Sequence, residues 1–396
     1  MDEDSQLEAG NVAPIRRPHG VVLDNQYVRA LPRYSQDLDL NLQDLEAVRL
    51  VLRGGSVVDW HRLNFETREQ ALNFVRVNGF DPTDPRDEET IEHARLMAID
   101  YLQRNFKWSL SERVRTTTDV CDLILLASTP GGWSRDQILA CVLLKTMHIV
   151  QHIQGHHLLQ EVALPETQLF DELDERIRVF SRSIGDLGLP IVHFFGSRKT
   201  NDSVITKLFL KRRATAAMVM DRMRYRIVTE DRSSLPYVLA YLLRHLLPFN
   251  QCRADQSSNN LIDFRAWLEE SPELRPFSDR VQLDIGMEED EGMGTWPNRF
   301  SSSGYRMINF VIALPVRLDH MSFLRGHRCF ESCGPVVHVS TEFQLVDRES
   351  AYLNEQGPNS HAAYKRRQRK GVEQRLRWGK ARQRLQVIRD REEKKL

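Results

Sequence analysis

The chain lacks net charge. Lys and Arg number 55, Asp and Glu number 55, and the pI lies near 7.2. A neutral protein has no global field to draw in nucleic acid or an anionic membrane, so any such attraction must be local. Long hydrophobic runs are also missing. The greasiest stretches, 120–128 and 237–249, are too short or too broken by Arg244 and His245 to span a bilayer. Met1-Asp2-Glu3-Asp4 is acidic with no apolar core behind it, which argues against a secretory leader and predicts a cytoplasmic protein without membrane contact. Cysteine is scarce and odd in number, and five thiols in 396 residues fit a reduced protein rather than a disulfide framework. No internal repeat occurs. His148, His152 and His156 follow one another at helical spacing, a geometry that can hold zinc, but no His-Glu-x-x-His arrangement accompanies them. The cluster His327, Cys329, Cys333 and His338 matches no strong zinc pattern either, so packed histidines and buried thiols are the expectation.

What is present is the composition of a soluble globular protein, 41% hydrophobic and 28% charged, long enough for two modest domains. Residues 1–41 have few periodic apolar positions and are interrupted by Pro14, Pro18 and Pro32, which reads as a flexible arm. From Leu42 the stripe Leu45, Val48, Leu52 predicts a helix ending at Gly54-Gly55. Thr67 and Gln70 form a capping box for a second helix that stops at Gly79. A third is expected from about Asp87 to Leu102. A fourth opens at Ser134, with Gln137 as its capping partner, and runs to about Gln154, before Gly155. Residues 42–189 therefore read as a helical region.

Near Leu189 the texture changes to short β-type runs at 190–195, 218–229, 305–315 and 336–346. Between them, 252–303 is rich in Ser, Asn, Pro and acids and reads as an insertion or mobile loop. From Tyr364 onward 14 Lys and Arg face four acids, which predicts a basic C-terminal helix with 367–396 as its tail. The fold class expected is α+β: a mostly helical N-terminal region, then a mixed sheet flanked by helices.

Four fragments carry chemistry. Gly196 ends an apolar run, and Lys199, Ser203 and Lys207 follow every four residues, on one face if helical. A glycine turn feeding a helix start suits a polyphosphate, with lysines neutralising its flank, although Lys211, Arg212 and Arg213 allow a plain solvated basic helix. In 218–229, Asp221 sits in an apolar run that also carries Arg222, Arg224 and Arg226. A carboxylate in a strand is costly unless paired or metal-bound, and an ordinary Asp–Arg pair across strands reads as well as a ligand. Strict alternation puts the arginines on the face opposite Asp221, so Asp221 and Arg226 share a face only across a bulge. In 336–346, Val337, Val339, Thr341, Phe343 and Leu345 fall on one face and His338, Ser340, Glu342 and Gln344 on the other, so one face packs and one works, unless the sheet simply has a wet side. Last, Gly304 permits close backbone approach and Tyr305 offers a face for stacking a base, or else plugs the domain edge.

In order and spacing these fragments resemble the synthetase domain of the RelA/SpoT family over residues 190–366. Gly196, Lys199, Ser203 and Lys207 match that family's Gly-Arg-x-Lys-x3-Ser-x3-Lys segment, Asp221 and Arg226 its Asp-x4-Arg, Gly304-Tyr305 its Gly-Tyr, Glu342 and Gln344 its Glu-x-Gln, and His361 to Lys365 its His-x-x-Tyr-Lys. The resemblance implies a nucleotidyltransferase-like sheet and transfer of pyrophosphate from ATP to the 3′-hydroxyl of GDP or GTP, with Mg²⁺ held by Asp221 and Glu342 as the catalytic pair. Gly196, Arg198, Lys199, Ser203, Lys207 and Arg226 would then meet the ATP phosphates, and Tyr305 and Gln344 the acceptor. Ser197 stands where the family has arginine, with Arg198 beside it as a substitute, and Asn309 where it has histidine. The same transfer to the 3′ end of tRNA, helped by the basic tail, and a degenerate domain that binds nucleotide or RNA without chemistry are the alternatives. No His-Asp dipeptide occurs, so the family's hydrolase activity is not expected.

Overall fold

The computed structural model describes residues 40–55, 58, 60, 62–129, 134–186, 188–210, 222–281, 302, 304–324 and 328–377. The expected arm before Leu40, Asp221, the stretch 282–301 and the tail beyond Arg377 lie outside the described residues. Seven helices come first: α1 (Leu42–Arg53), α2 (Arg68–Val77), α3 (Pro85–Phe106), α4 (Glu112–Thr116), α5 (Val120–Ala127), α6 (Arg135–Val162) and α7 (Glu166–Asp186). Strands then alternate with helices: β1 (Ile191–Arg198), α8 (Asn201–Leu210), β2 (Met223–Thr229), α9 (Leu235–His245), β3 (Ser258–Asn259), α10 (Phe264–Glu270) and β4 (Ile308–Arg317). The order closes with α11 (Cys329–Cys333), β5 (Val336–Asp347), α12 (Arg348–Asn354) and α13 (His361–Arg377). No helix among the described residues is long and apolar enough to cross a membrane.

Local chemistry sets the helix ends. Asn41 and Asp44 cap α1 reciprocally, and Gly54 leaves it in the left-handed region at φ 70°. Thr67 and Gln70 do the same at the start of α2. The fourth helix of the sequence reading, here α6, does not stop at Gln154 but continues through Gly155 to Val162. Glycine serves packing there: a Cβ on Gly155 would lie 3.0 Å from the Val336 carbonyl oxygen and 3.3 Å from His338 Nδ1. The stretch read as a loop from Cys252 is also partly regular, since it contributes edge strand β3 and helix α10, whose Trp267 and Leu268 are buried.

The five-stranded sheet has the order β1-β2-β5-β4-β3, with β2 and β5 parallel and the other pairs antiparallel. On one face Tyr225, Phe343 and Phe310 lie side by side across β2, β5 and β4, with ring centroids 5.4 and 5.7 Å apart and none exposed to solvent. Burial of rings this size stabilises by about 1.5–3 kcal/mol each, and α7 covers the row, with Asp174 accepting the Tyr225 hydroxyl. The hydrophobic core runs as one cluster from the helical part into the sheet. The opposite face of β5 is no wet surface: Glu342 and Gln344 are 6% and 8% exposed. Helix α6 packs on its His338 end, and the connection from β1 into α8 reaches its Glu342 end.

Candidate functional site

The parallel register of β2 against β5 places Arg224 beside Glu342 and Arg226 beside Gln344. Alternation then aims all four side chains at one face. Glu342 Oε2 accepts from Lys199 Nζ at 2.6 Å and from Arg224 Nε and Nη2 at 3.1 and 3.0 Å. Its Oε1 accepts from Gln344 Nε2 at 3.0 Å, and Gln344 also reaches Asn309 Oδ1 at 3.4 Å. Lys199 gets there because its backbone N–H bonds the Arg222 carbonyl at 2.7 Å, which extends the β1–β2 ladder by one residue before α8 begins. Thr200 then caps α8, taking the Ser203 N–H on its hydroxyl at 3.4 Å. Lys199 thus precedes the helix and does not share its face with Ser203 and Lys207.

Burial by itself would raise the Glu342 carboxyl, but Arg224 and Lys199, with Lys207 behind them, hold it well below the usual carboxylate range. A second layer comes from α13. Lys365 Nζ lies 3.2 Å from Ser203 Oγ. Burial lowers the Lys365 ammonium, and repulsion from Arg224, Lys199 and Arg369 lowers it further. His361, one turn earlier, is lowered by burial and then by Lys365, Arg224 and Arg226. Arg226 pairs with Glu355 at 3.6 Å, while its buried Nε has no hydrogen-bond partner among the described residues. Among the described residues, Lys199, Lys207, Arg224, Arg226, Lys365 and Arg369 therefore gather around Glu342 and Glu355.

Not every residue singled out in the sequence belongs to the basin. Arg198 points to the opposite face, pairs with Asp171 and Asp174 of α7, and lies over the Phe170 ring at 5.7 Å. Gly196 shares that face, and a Cβ there would fall 2.7 Å from Tyr225 Cε1, so the glycine makes room for the aromatic row. Tyr305 stands at the entry to β4, where its carbonyl accepts from Asn260 Nδ2 at 2.7 Å. Asp221 falls outside the described residues. Arg224, Lys365 and Arg369 are cations of the basin that the motif reading did not assign a role. The signal for Arg224 was available, since the arginine face of 218–229 and the Glu342 face of 336–346 coincide once the two strands are paired in parallel.

Among the described residues no group of three or more His, Cys, Asp or Glu side chains is placed to hold a metal ion. A hard cation such as Mg²⁺ needs fewer, because it binds through one or two carboxylates plus substrate phosphates and waters. The donor chemistry fits that use: Glu342 stays ionised, and its Oε1 accepts one N–H, from Gln344. The histidines are a different matter. His148 meets His152 of α6 edge to face at 4.8 Å between centroids, and His152 stacks on His338 of β5 at 4.6 Å. Burial pushes His148 down to about 3, with His152 adding to it, and pushes His152 and His338 down as well. They pack as neutral rings.

Neither a protein-family model nor a curated protein matches the sequence. Several solved structures are similar. The small alarmone synthetase 2 from Bacillus subtilis aligns at 16% identity over 57% of this chain and 94% of its own, with a TM-score of 0.27. The small alarmone synthetase 1 from the same organism, bound to its product pppGpp, aligns at 16% over 59% and 96%, with a TM-score of 0.28. A GTP pyrophosphokinase family protein from Streptococcus pneumoniae aligns at 14% over 59% and 95%, with a TM-score of 0.29.

Proposed function

We propose that the basin is a polyphosphate site and that the chain transfers pyrophosphate from ATP to the 3′-hydroxyl of a guanine nucleotide. The observation that carries this reading is the set of cations that, among the described residues, gathers around the buried carboxylate of Glu342, with Lys199 at 2.6 Å and Arg224 at 3.0 Å. Like charges held together out of water repel, as the lowered Lys365 reflects, and an incoming polyanion relieves that repulsion. Hydrogen bonds to charged groups contribute about 1.5–3 kcal/mol each, so three or four such contacts make a serviceable phosphate clamp.

The transfer is mostly a matter of position and charge. The acceptor 3′-oxygen bonds to the β-phosphorus, the bond from that phosphorus to the α,β-bridging oxygen breaks, and AMP leaves with that oxygen and its electron pair. Lys199, Arg224, Lys207 and Lys365 hold the phosphate oxygens, Arg226 holds the acceptor end or the ATP flank, and Gln344 keeps Glu342 oriented. The hydroxyl proton needs a base. Glu342 paired with Lys199 and Arg224 is far too weak a base, but it gains basicity when those two cations turn to the phosphates. ATP binding thus precedes proton transfer. Glu342 and Asp221 would be the carboxylates to hold a Mg²⁺ ion, which would add charge neutralisation on the phosphates.

One observation favours a second acceptor. His361, Lys365 and Arg369 recur every four residues along α13, so its basic face continues outward from the basin and suits the backbone of an RNA 3′ end. Incubation of the protein and Mg²⁺ with ATP labelled in its β- or γ-phosphate, with GDP, GTP and tRNA in separate tubes, decides between them. Label on GDP or GTP with matching release of AMP, absent in Glu342→Gln, supports the main reading. Label on tRNA moves the acceptor to RNA, and no AMP from any tube overturns both.

A further inference from the structure

Helix α6 has the sequence of a helix buried on every side. From Gln137 to Gln160, Lys145 is its only Lys, Arg, Asp or Glu, and that ammonium donates to the Val58 carbonyl at 2.5 Å. A helix with one side in water carries charge on that side, as α7 does with Asp171 and Glu175. The outer side of α6 instead shows Ile149 and Ile153, one turn apart.

Helix α3 packs beside α6 and widens this apolar surface. Gln154, next to Ile153, has its Nε2 3.6 Å from Met97 Sδ, and towards the other end Arg135 Nη2 donates to the Ser109 carbonyl at 3.2 Å. The two helices are therefore antiparallel neighbours, and Met97 and Tyr101 lie one turn apart on the solvent side of α3. Tyr101, Phe106 and Trp108 continue the stripe as a chain of rings, with centroids 5.7 and 5.6 Å apart. The six side chains are each 43–51% exposed. At about 150–250 Å² for a large side chain laid bare, they offer roughly 400–700 Å² of apolar surface, as much as the largest patch on a typical monomer. Each partner in a standard interface gives about 800 Å², of which about 500 Å² is apolar, so the face has the size of one side of such an interface.

Its charges indicate what fits it. The rim carries Asp100 and Arg104, both exposed and paired with each other at 2.5 Å, so it favours neither a strongly basic nor a strongly acidic partner. The sequence from Tyr364 onward, with 14 Lys and Arg against four acids, finds no matching acidic surface there, and the segment before Leu40 has few periodic apolar positions to lay along the stripe. A second copy of the chain matches on both counts. It brings an equal apolar stripe, and a two-fold axis can exchange the Asp100–Arg104 pairing between copies.

We propose that the α3–α6 face is the interface of a homodimer, in which two copies lay their helix pairs together as a four-helix layer about a two-fold axis. The pairing uses no residue of the phosphate basin and does not depend on the function proposed for it.

Sedimentation equilibrium of the full-length chain tests this. The mass is expected to rise with concentration from 46.1 kDa toward twice that value, at or below the micromolar range in which interfaces of standard size associate. Ile153→Glu places a carboxylate in the contact and should weaken association about 100-fold or more. Met97→Lys, on the other helix, should do the same and decides the matter if the first variant does not fold. Val179→Glu, at an exposed apolar position of α7, should leave the mass profile unchanged. A chain that stays at 46.1 kDa up to about 100 μM overturns the proposal and leaves the face to a different protein. A dimer untouched by the folded Ile153→Glu or Met97→Lys variant, or one broken by Val179→Glu, overturns it as well.

Discussion

The two ends of one face of β5 bury polar groups in opposite ways. At His338 the neighbour is His152 of α6, with His148 beyond it, and burial keeps all three rings neutral. At Glu342, four residues along, the neighbours are Lys199 and Arg224, and the carboxylate keeps its charge because two cations outweigh its burial. The neutral end carries no charge to compensate, although His338 Nδ1 is buried without a hydrogen-bond partner among the described residues. Among the described residues the charged end holds more positive than negative charge, and on the proposed function an anion would complete it. That difference, rather than burial or polarity alone, is why we place the proposed chemistry at the Glu342 end.

The largest effect that sharpens this contrast is expected from Glu342→Gln. If Glu342 acts as the base, transfer should fall by about 10²–10⁴-fold, while ATP binding holds or tightens because a negative charge has left a cationic basin. A variant that transfers normally removes Glu342 from the reaction.

Acid separates the ends next. The folded values of His148, His152 and His338 lie below the unfolded value of about 6.5, so the unfolded chain binds more protons under pH 6.5. Stability is therefore full above that pH and falls as pH drops toward about 3 for His148, by about 1.4 kcal/mol per pH unit for each histidine that stays neutral when folded. The depressed carboxyl of Glu342 contributes stability that is present above the unfolded carboxylate value of about 4.3 and is lost only as pH falls below it. Urea midpoints from pH 7 to 4.5 should thus decline, and His338→Leu should flatten the decline while leaving transfer at pH 7 intact. A flat profile for the parent chain would contradict the neutral packing of these rings.

The smallest effect concerns Gly196. A methyl there meets Tyr225, whose ring is locked between Phe343 and the Asp174 hydrogen bond, so Gly196→Ala should cost about 1–3 kcal/mol by overpacking. Calorimetric unfolding measures that loss. ATP affinity of the folded fraction should not change, and a large fall in it would return Gly196 to the phosphate site.

Much of this was legible in the sequence. The capping box at Thr67, the left-handed Gly54 and the alternation along β5 follow from local rules, and the structure agrees with them. What local rules miss is decided by pairing. Gly155 reads as a helix stop and is instead the point where a strand approaches α6, because its reason lies 181 positions away in Val336. Arg198 reads as a phosphate contact, yet strand parity sends it to Asp171 and Asp174 on the far face. Arg224 reads as one arginine among three until the parallel register of β2 and β5 sets it against Glu342. Helix α13 likewise gave its basic character to the sequence, but only folding brings Lys365 to Ser203.

The polyphosphate character of the charged end is tested most directly by titrating ATP into Arg224→Ala and His338→Leu by calorimetry at one fixed low salt concentration. Loss of a charged hydrogen bond of about 1.5–3 kcal/mol should weaken ATP binding about 10- to 100-fold in Arg224→Ala, and His338→Leu should match the parent chain. An Arg224→Ala variant that folds and binds ATP as tightly as the parent would show that this basin is not where the phosphates sit.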